Sequence, residues 1–227
     1  MPRIYRFTKI GSIILSKVLH HNGHGVHSPF VFSLITKVIG ETSHYYAYKD
    51  IRNYLQKQKS QKRGDEKYDR LVFRLVNHFK AQNILELGSG SGLTSLYATA
   101  PSGKTVCYCV ELSEKKRKYA ESLYRSYNRK IVLQADLFTK TEEKKDCIIV
   151  NLDNYPLTYE WFYEHLFPLC SEKTFIILKG IRTKRQNQVL WRKLKRNQSI
   201  SVSIDMFNTG ILFFNKKLYK RNYRLNF

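Results

Sequence analysis

Three glycines and one acid in the first half of the chain have the types and spacing of a ligand-binding loop. Segment 83–92 reads Asn-Ile-Leu-Glu-Leu-Gly-Ser-Gly-Ser-Gly, so Glu86 lies two residues before the first glycine. Glycine lets the backbone adopt positive φ and lets a ligand approach it closely. Strand-like residues precede the loop and a helical pattern follows it. A parallel α/β sheet forms its ligand sites at such a junction.

The spacing of this loop differs from those of two common phosphate-binding loops. A dinucleotide loop reads Gly-x-Gly-x-x-Gly, whereas here the third glycine comes one residue early and Leu93 occupies its expected place. The lysine of a P-loop is also absent from the segment. An acid before the loop favours a ligand that carries an ammonium group. A tight strand-to-helix turn without a ligand is the alternative interpretation.

The pattern Glu-x-Gly-x-Gly-x-Gly closely resembles motif I of the class I S-adenosylmethionine (SAM)-dependent methyltransferases. The resemblance implies that SAM is the cofactor and that Glu86 takes its ammonium group, directly or through water. Two acids at the ends of the next two predicted strands extend the resemblance, since Glu111 would accept the ribose hydroxyls and Asp136 would contact the adenine amino group. The implied cofactor-binding residues are Glu86, Gly88, Ser89, Gly90, Gly92, Glu111 and Asp136.

The acceptor half of the sequence departs from the branch that it otherwise resembles. The order of elements is similar to that of the catechol and caffeoyl-type O-methyltransferases, in which acids after the fourth and fifth strands hold a divalent metal. Here Leu152 lies where the first acid is expected, and Asp153 comes one residue late. Lys179 and Gly180 occupy two further ligand positions, and a lysine would repel Mg²⁺. We therefore expect no metal, with Asp153, Tyr155 and Lys179 as the candidate catalytic residues.

Three functions are compatible with this combination of an intact cofactor half and an altered acceptor half. The first is a SAM-dependent methyltransferase that transfers a methyl group to oxygen on a small acceptor without a metal. The second is a catalytically degenerate protein that binds SAM. The third is a basic RNA-binding module built on a methyltransferase scaffold.

Alternating strand and helix patterns indicate the elements that position these residues. The predicted fold class is α/β, with a Rossmann-like seven-stranded, mostly parallel sheet, helices on both faces and an N-terminal helical extension. Residues 1–64 form the extension, and residues 65–227 form the methyltransferase domain. Hairpin chemistry at 207–210 predicts that the last two strands pair in antiparallel fashion. The predicted strands are 84–87, 105–112, 131–137, 146–152, 174–178, 200–206 and 210–215.

Residues 1–40 are predicted to form two helices around a histidine-rich turn. The second helix begins at Ser28 and Pro29, because serine is a good N-cap and proline is favoured at the first helical position. Four histidines, at positions 20, 21, 24 and 27, lie in the turn, but their spacing matches no common metal-ligand pattern. Hydrogen bonds from these side chains to the backbone are the simpler interpretation.

The chain carries a strong positive charge. Forty Lys and Arg residues against eighteen Asp and Glu residues give a net charge of +22. Such a charge favours RNA or another polyanion as a partner, although codon bias in an AT-rich genome would also enrich lysine. Many of the cations lie in or beside a predicted helix, 183–197, and in the C-terminal tail: Arg182, Lys184, Arg185, Arg192, Lys193, Lys195, Arg196, Lys216, Lys217, Lys220, Arg221 and Arg224.

The remaining features of the composition favour a cytoplasmic protein. No apolar run reaches the roughly 18–20 residues of a membrane span. The apolar stretch near the N-terminus is short and is interrupted by Lys17, unlike that of a signal peptide. The four cysteines form neither a disulfide framework nor a metal-ligand pattern, so we expect reduced, buried thiols.

Overall fold

The computed structural model describes residues 28–58, 65–136 and 143–225, which form one sheet covered by helices. The strands are β1 (Asn83–Leu87), β2 (Val106–Val110), β3 (Lys130–Gln134), β4 (Cys147–Asn151), β5 (Phe175–Lys179), β6 (Val202–Met206), β7 (Thr209–Phe213) and β8 (Arg221–Arg224). The helices are α1 (Pro29–Leu34, continued by a π-helical turn over Ile35–Ile39), α2 (Tyr46–Lys57), α3 (Glu66–Phe79), α4 (Leu93–Thr99), α5 (Glu114–Tyr124), α6 (Tyr159–His165) and α7 (Arg185–Arg196).

The strand order places a switch point beside the glycine loop. The order in the sheet is β3-β2-β1-β4-β5-β7-β6-β8. Strand β1 pairs in parallel with β2 on one side and with β4 on the other, so the chain reverses its direction of travel across the sheet there. Ligands of open α/β sheets bind at the carboxyl ends of the strands at such a point. The predicted Rossmann-like, mostly parallel fold is confirmed, as is the antiparallel pairing of β6 and β7.

The sheet has an eighth strand, whereas the sequence predicted seven. Strand β8 pairs in parallel with β6, and Arg221 N–H donates to the Ser201 carbonyl at 2.8 Å. At its other end, Leu225 N–H donates to the Asp205 carbonyl at 2.7 Å. This strand is mostly polar and exposed, so it lacks the apolar alternation by which strands are recognised in a sequence. Backbone hydrogen bonds to β6 define it instead.

Each face of the sheet buries its own apolar layer. On one face, helices α1 and α3 pack against the strands, and Leu34, Val38 and Leu75 belong to that cluster. Arg74 ties these two helices together because its Nε donates to the Val38 carbonyl at 2.6 Å. On the other face, α6 and α7 supply Phe162 and other buried residues. The described part of the N-terminal extension therefore shares a core with the sheet.

The start of helix α1 matches the predicted start signal. Ser28 Oγ accepts a hydrogen bond from the Val31 N–H at 3.4 Å, and Pro29 is the first helical residue. The first predicted helix and the histidine-rich turn lie outside the described residues. Within the described ranges, no helix combines the length and the apolar character needed to span a bilayer.

Candidate functional site

The glycine loop lies between β1 and α4 and has the backbone conformation that its sequence predicts. Gly88, Gly90 and Gly92 have φ angles of +75°, +62° and +82°. Residues with side chains rarely adopt this conformation, so glycine is needed here. A Cβ atom on Gly88 would also lie 2.9 Å from Asn154 Cβ and 3.0 Å from the Asn151 carbonyl oxygen. The loop is therefore both conformationally special and closely approached by the segment after β4.

An asparagine after β4 contacts the loop directly. Asn154 Nδ2 donates to the Gly88 carbonyl at 3.1 Å, and Asn154 Oδ1 accepts from Lys116 Nζ at 2.8 Å. This side chain joins the loop, the β4 end and helix α5. The sequence did not single out Asn154, because an asparagine after a strand is an ordinary turn residue.

A serine hydroxyl on the loop is buried without a partner. Ser89 is 7% exposed, and no described residue forms a hydrogen bond with its Oγ. A buried hydroxyl of this kind normally has a partner in the folded state. Together with the cradle that the glycines form, it fits a polar ligand that comes to the loop. The residues present are therefore compatible with a bound SAM molecule.

Glu111 links the end of β2 to the glycine loop. Its carboxylate is 1% exposed. Oε2 accepts from the Gly90 N–H at 2.6 Å, and Oε1 accepts from the Ser113 N–H at 2.9 Å. Each carboxylate oxygen has more than one lone pair and can accept a further hydrogen bond. The structure thus brings Glu111 to the glycine loop, as the ribose-binding role requires.

Glu86 points into the protein core beneath the loop. It is 3% exposed, and its Oε2 accepts from Ser95 Oγ at 2.6 Å. The thiols of Cys107 and Cys109 lie 3.9 and 3.7 Å from the same oxygen. Burial raises the pKa of Glu86 to about 7, although the Ser95 hydrogen bond opposes this shift. Its surroundings are thus a hydroxyl and two thiols.

Asp136 lies just beyond the end of β3 and is exposed. Burial raises the pKa of Tyr155, and the negative charge of Asp136 adds to that shift. The two predicted residues therefore interact electrostatically across the carboxyl edge of the sheet.

Lys179 ends β5 and faces the beginning of α3. Its Nζ lies 3.2 Å from Asp65 Oδ2 and 4.3 Å from the centre of the Tyr68 ring. The Tyr68 hydroxyl is buried and has no hydrogen-bond partner among the described residues. Burial raises its pKa well above the usual value, with a contribution from Glu86. The end of β5 thus places a cation over the ring of a tyrosine whose hydroxyl has no partner among the described residues.

Asp69 lies one residue beyond Tyr68 and carries a further buried carboxylate. It is 3% exposed, and its Oδ1 accepts from Thr94 Oγ1 at 2.7 Å. Burial raises the pKa of Asp69 to about 6, while the Thr94 hydrogen bond and the charge of Lys179 lower it. Sequence reasoning missed the roles of Asp65, Tyr68 and Asp69, because no motif marks their segment, and that of Thr94, because a threonine after the glycine loop is an ordinary helical residue. The regular helical period of 65–79 predicted their helix but not their role.

The three candidate catalytic residues contact different neighbours. Lys179 belongs to the Asp65 and Tyr68 group, and Asp153 instead accepts from Thr183 Oγ1 at 2.5 Å. The Tyr155 ring packs 5.8 Å from the Trp161 ring, within the apolar layer of the opposite face.

The position that an acid would occupy in a metal-binding relative is apolar here. Leu152 is fully buried and belongs to the apolar layer that α6 and α7 cover. Its neighbour Asp153 is exposed and lies beside Gly180, where a Cβ atom would come within 3.0 Å of Asp153 Oδ2. The chemistry of this set, with one carboxylate, one glycine and one lysine, differs from the oxygen ligands that Mg²⁺ prefers.

Comparison with solved structures shows which proteins have this fold. The chain is 15% identical to a candidate caffeoyl-CoA O-methyltransferase from Staphylococcus aureus, over 74% of this chain and 91% of that one, with a TM-score of 0.57. It is 13% identical to the SAH-bound methyltransferase PaMTH1 from Podospora anserina, over 82% and 96%, with a TM-score of 0.62. It is 14% identical to an O-methyltransferase from Bacillus cereus in complex with SAH, over 75% of this chain and 92% of that one, with a TM-score of 0.56. No protein-family model and no curated protein matches the sequence.

These similarities place the chain in a fold class. The protein has the Rossmann-like fold of the class I methyltransferases, and its structural neighbours include caffeoyl-type O-methyltransferases. The Rossmann-like methyltransferase fold that the sequence predicted is confirmed. At such low identity the likeness concerns the fold, and the chemistry has to be argued from the residues of the site.

Proposed function

We propose that the protein is a SAM-dependent methyltransferase that methylates oxygen on a small acceptor without a catalytic metal. The observation that carries the proposal is the three-glycine loop at positive φ, placed at the switch point of a methyltransferase fold. Neighbours with this fold include proteins crystallised with SAH.

The cofactor half offers groups that suit each polar part of SAM. The unpaired Ser89 hydroxyl on the glycine loop would form a hydrogen bond with the methionyl part. The Glu111 carboxylate is held at the loop and would accept the ribose hydroxyls through its remaining lone pairs. Asp136 would contact the adenine amino group. When bound, SAM supplies a methyl group on a sulfonium, which is already a good leaving group.

The acceptor half offers a cation and a base in place of a metal. We assign Lys179 to the acceptor oxygen, whose developing negative charge its ammonium group would stabilise. Asp69 would accept the acceptor proton, because its raised pKa near 6 suits a general base better than that of an exposed aspartate does. Asp153 and Tyr155 would border the acceptor on the β4 side. The acceptor itself is a small molecule with an ionisable hydroxyl.

Calorimetry with SAM and SAH tests the cofactor assignment. We expect Gly90→Ala to weaken the binding of both ligands by at least 10-fold, since the new side chain would be strained at positive φ and would meet Asn154 Nδ2 at 2.9 Å. Gly103→Ala is the matched control, because no atom lies within 4 Å of its Cβ position. Absence of binding to the folded wild-type protein, or equal losses in both variants, would refute the assignment.

A transfer assay with labelled SAM and a panel of phenols, catechols and other small hydroxyl compounds tests the reaction. We expect the same rate with and without added Mg²⁺, because Lys179 supplies the positive charge. A rate that depends on Mg²⁺ would contradict the metal-free mechanism. Tight SAM binding without transfer to any acceptor would favour the catalytically degenerate alternative.

A second candidate function is the binding of RNA, and one exposed aromatic side chain favours it. Tyr219 is 94% exposed, and exposed lysines and arginines precede and follow it in the tail. Aromatic rings among cations are the platforms on which single-stranded nucleic acids stack. Arg182 does not belong to this surface, because it forms a bidentate pair with Asp205 at 2.7 and 2.8 Å.

Filter binding of single-stranded RNA across a salt series separates the two functions. If RNA is the partner, affinity falls steeply with salt and Tyr219→Ala lowers it by about 1–3 kcal/mol. Tyr163→Ala is the control, because Tyr163 is also exposed, at 54%, but lies on α6. Weak binding with no difference between the variants would exclude this candidate. We also propose a cytoplasmic location, with which four free cysteines are compatible.

A further inference from the structure

Two thiols and a carboxylate converge beneath the glycine loop. Cys107 and Cys109 alternate along β2 and therefore point to the same face of the sheet, where Glu86 of β1 pairs with Cys109. The two Sγ atoms lie 3.5 Å apart. Glu86 Oε2 lies 3.9 Å from Cys107 Sγ and 3.7 Å from Cys109 Sγ. All three side chains are buried.

These distances are those of three corners of a coordination tetrahedron. Zinc lies about 2.3 Å from thiolate sulfur and about 2.0–2.2 Å from carboxylate oxygen, so tetrahedral ligands are about 3.8 Å apart for two sulfurs and about 3.5 Å for sulfur and oxygen. The three observed separations, 3.5, 3.7 and 3.9 Å, agree with these values to within a few tenths of an ångström. We propose that Glu86, Cys107 and Cys109 bind a thiophilic divalent cation, with Zn²⁺ as the natural choice.

A cation would also explain why an acid lies in the core at this position. The hydrogen-bond partners of Glu86 among the described residues are a hydroxyl and two thiols, and none of them is a cation. Burying a charge without a partner of opposite sign is costly. Thiolate sulfur and carboxylate oxygen together select a borderline-soft ion such as Zn²⁺ over Mg²⁺. This site is therefore chemically distinct from the metal site of the caffeoyl-type enzymes.

Neighbouring hydroxyls complete the site. Ser95 Oγ lies 2.6 Å from Glu86 Oε2 and 3.2 Å from Cys109 Sγ, where it orients the carboxylate. Tyr124 Oη lies 2.7 Å from Ser95 Oγ and connects the cluster to the glycine loop at Gly92. Outer-shell hydrogen bonds of this kind orient metal ligands. The ion would stabilise the support on which the loop rests.

Binding releases protons in a defined number. One cation forms two metal–sulfur bonds, each of which replaces an S–H bond, and the two protons pass to solvent. A third proton leaves if the Glu86 carboxyl is protonated beforehand. No electron is transferred. Affinity must therefore increase with pH, and the proton release per bound ion is measurable in a weakly buffered titration.

X-ray absorption of the full-length wild-type protein, loaded with one equivalent of Zn²⁺, tests the proposal without any variant. We expect two sulfur neighbours at about 2.3 Å, with oxygen completing the shell. A shell of nitrogen and oxygen only, such as histidines 20–27 would provide, would overturn the proposal. So would the absence of stoichiometric Zn²⁺ binding to the folded, reduced protein.

Cobalt titrations of variants identify the ligands. In the wild-type protein, Co²⁺ should produce a thiolate charge-transfer band that saturates at one equivalent and that Zn²⁺ abolishes. We expect Cys109→Ser to lower the affinity by more than 100-fold and Ser95→Ala to lower it by about 10-fold. Cys147→Ser is the matched control, because Cys147 is equally buried on β4 but lies outside the cluster. An equal loss in Cys147→Ser would contradict the assignment, and if Cys109→Ser does not fold, the absorption spectrum of the wild-type protein decides.

Discussion

Two buried carboxylates, one in each half of the site, are held in different ways. Glu111 accepts two backbone N–H groups at 2.6 and 2.9 Å, one of them from the glycine loop. Asp69 accepts one side-chain hydroxyl, and burial raises its pKa to about 6. In the proposed cofactor half, backbone groups thus fix one acid in place. The acceptor half is built from side chains and retains an acid that can take up a proton near neutral pH.

The largest expected effect is the loss of Glu111. We expect Glu111→Ala to abolish measurable SAM binding and to lower the free energy of unfolding by about 2–4 kcal/mol, because one buried and one half-buried N–H group lose their acceptor. Urea denaturation and calorimetry measure both quantities. Glu114→Ala is the control, since Glu114 forms only an exposed pair with Lys118 and should change stability by less than about 0.5 kcal/mol. Similar losses of SAM binding and of stability in the two variants would contradict the role of Glu111 in the cofactor half.

The second effect concerns Asp69 and pH. A folded-state pKa of about 6, against an ordinary value of 3.8, means that the folded protein binds this proton more tightly than the unfolded chain does. The protonated Asp69 carboxyl therefore stabilises the folded state fully below pH 3.8, and this contribution is lost as the pH rises through about 6. It amounts to about 3 kcal/mol of the free energy of unfolding. We expect Asp69→Asn to remove this loss, so that the variant gains stability relative to wild type above about pH 6.

Urea denaturation on both sides of this pH measures the difference between Asp69→Asn and wild type. The control is Asp50→Asn, which changes an exposed aspartate on α2. If the pH profiles of Asp69→Asn and wild type are parallel, Asp69 titrates as an ordinary aspartate and cannot be the base of the acceptor half.

The third effect concerns Lys179. We expect Lys179→Met to lower kcat on the order of 100-fold while SAM affinity stays within about 3-fold, because the ammonium group acts on the acceptor oxygen and not on the cofactor. Lys193→Met is the matched control, since Lys193 also has a carboxylate partner, Glu160 at 2.9 Å, and an aromatic neighbour, Tyr159. If Lys179→Met lowered SAM affinity as strongly as kcat, Lys179 would act on the cofactor as well, and cofactor binding and acceptor chemistry would not belong to separate halves of the site.

The conformation of the glycine loop could be predicted from the sequence, because positive φ favours glycine at 88, 90 and 92. The contact of Glu111 with this loop could be predicted too, because the acid ends a neighbouring predicted strand. The acceptor half brings Asp69, Thr94 and Lys179 together from three separate segments. These residues are neighbours only because α3 packs against the sheet. The spacing of residues along the chain does not reveal that packing.

Register explains a second limit of sequence reasoning. The position of Glu86 before the glycines predicts a cofactor role, whereas its thiol neighbours follow from the pairing of β1 with β2, which sets it opposite Cys109. A shift of one residue in that pairing would move the thiols to the other face. Sequence identifies which residues alternate along a strand. It does not identify which residue of the next strand lies beside them.

The short strand β8 also bears on how molecules of this protein meet one another. By pairing with β6 it occupies backbone groups that would otherwise be open to a strand of a second chain. On β8 itself Arg221 and Arg224 are exposed, and charged side chains on an edge disfavour pairing with another molecule. The basic tail therefore disfavours aggregation through this edge of the sheet. A chain truncated before residue 221 would expose β6 and become prone to form edge-to-edge assemblies.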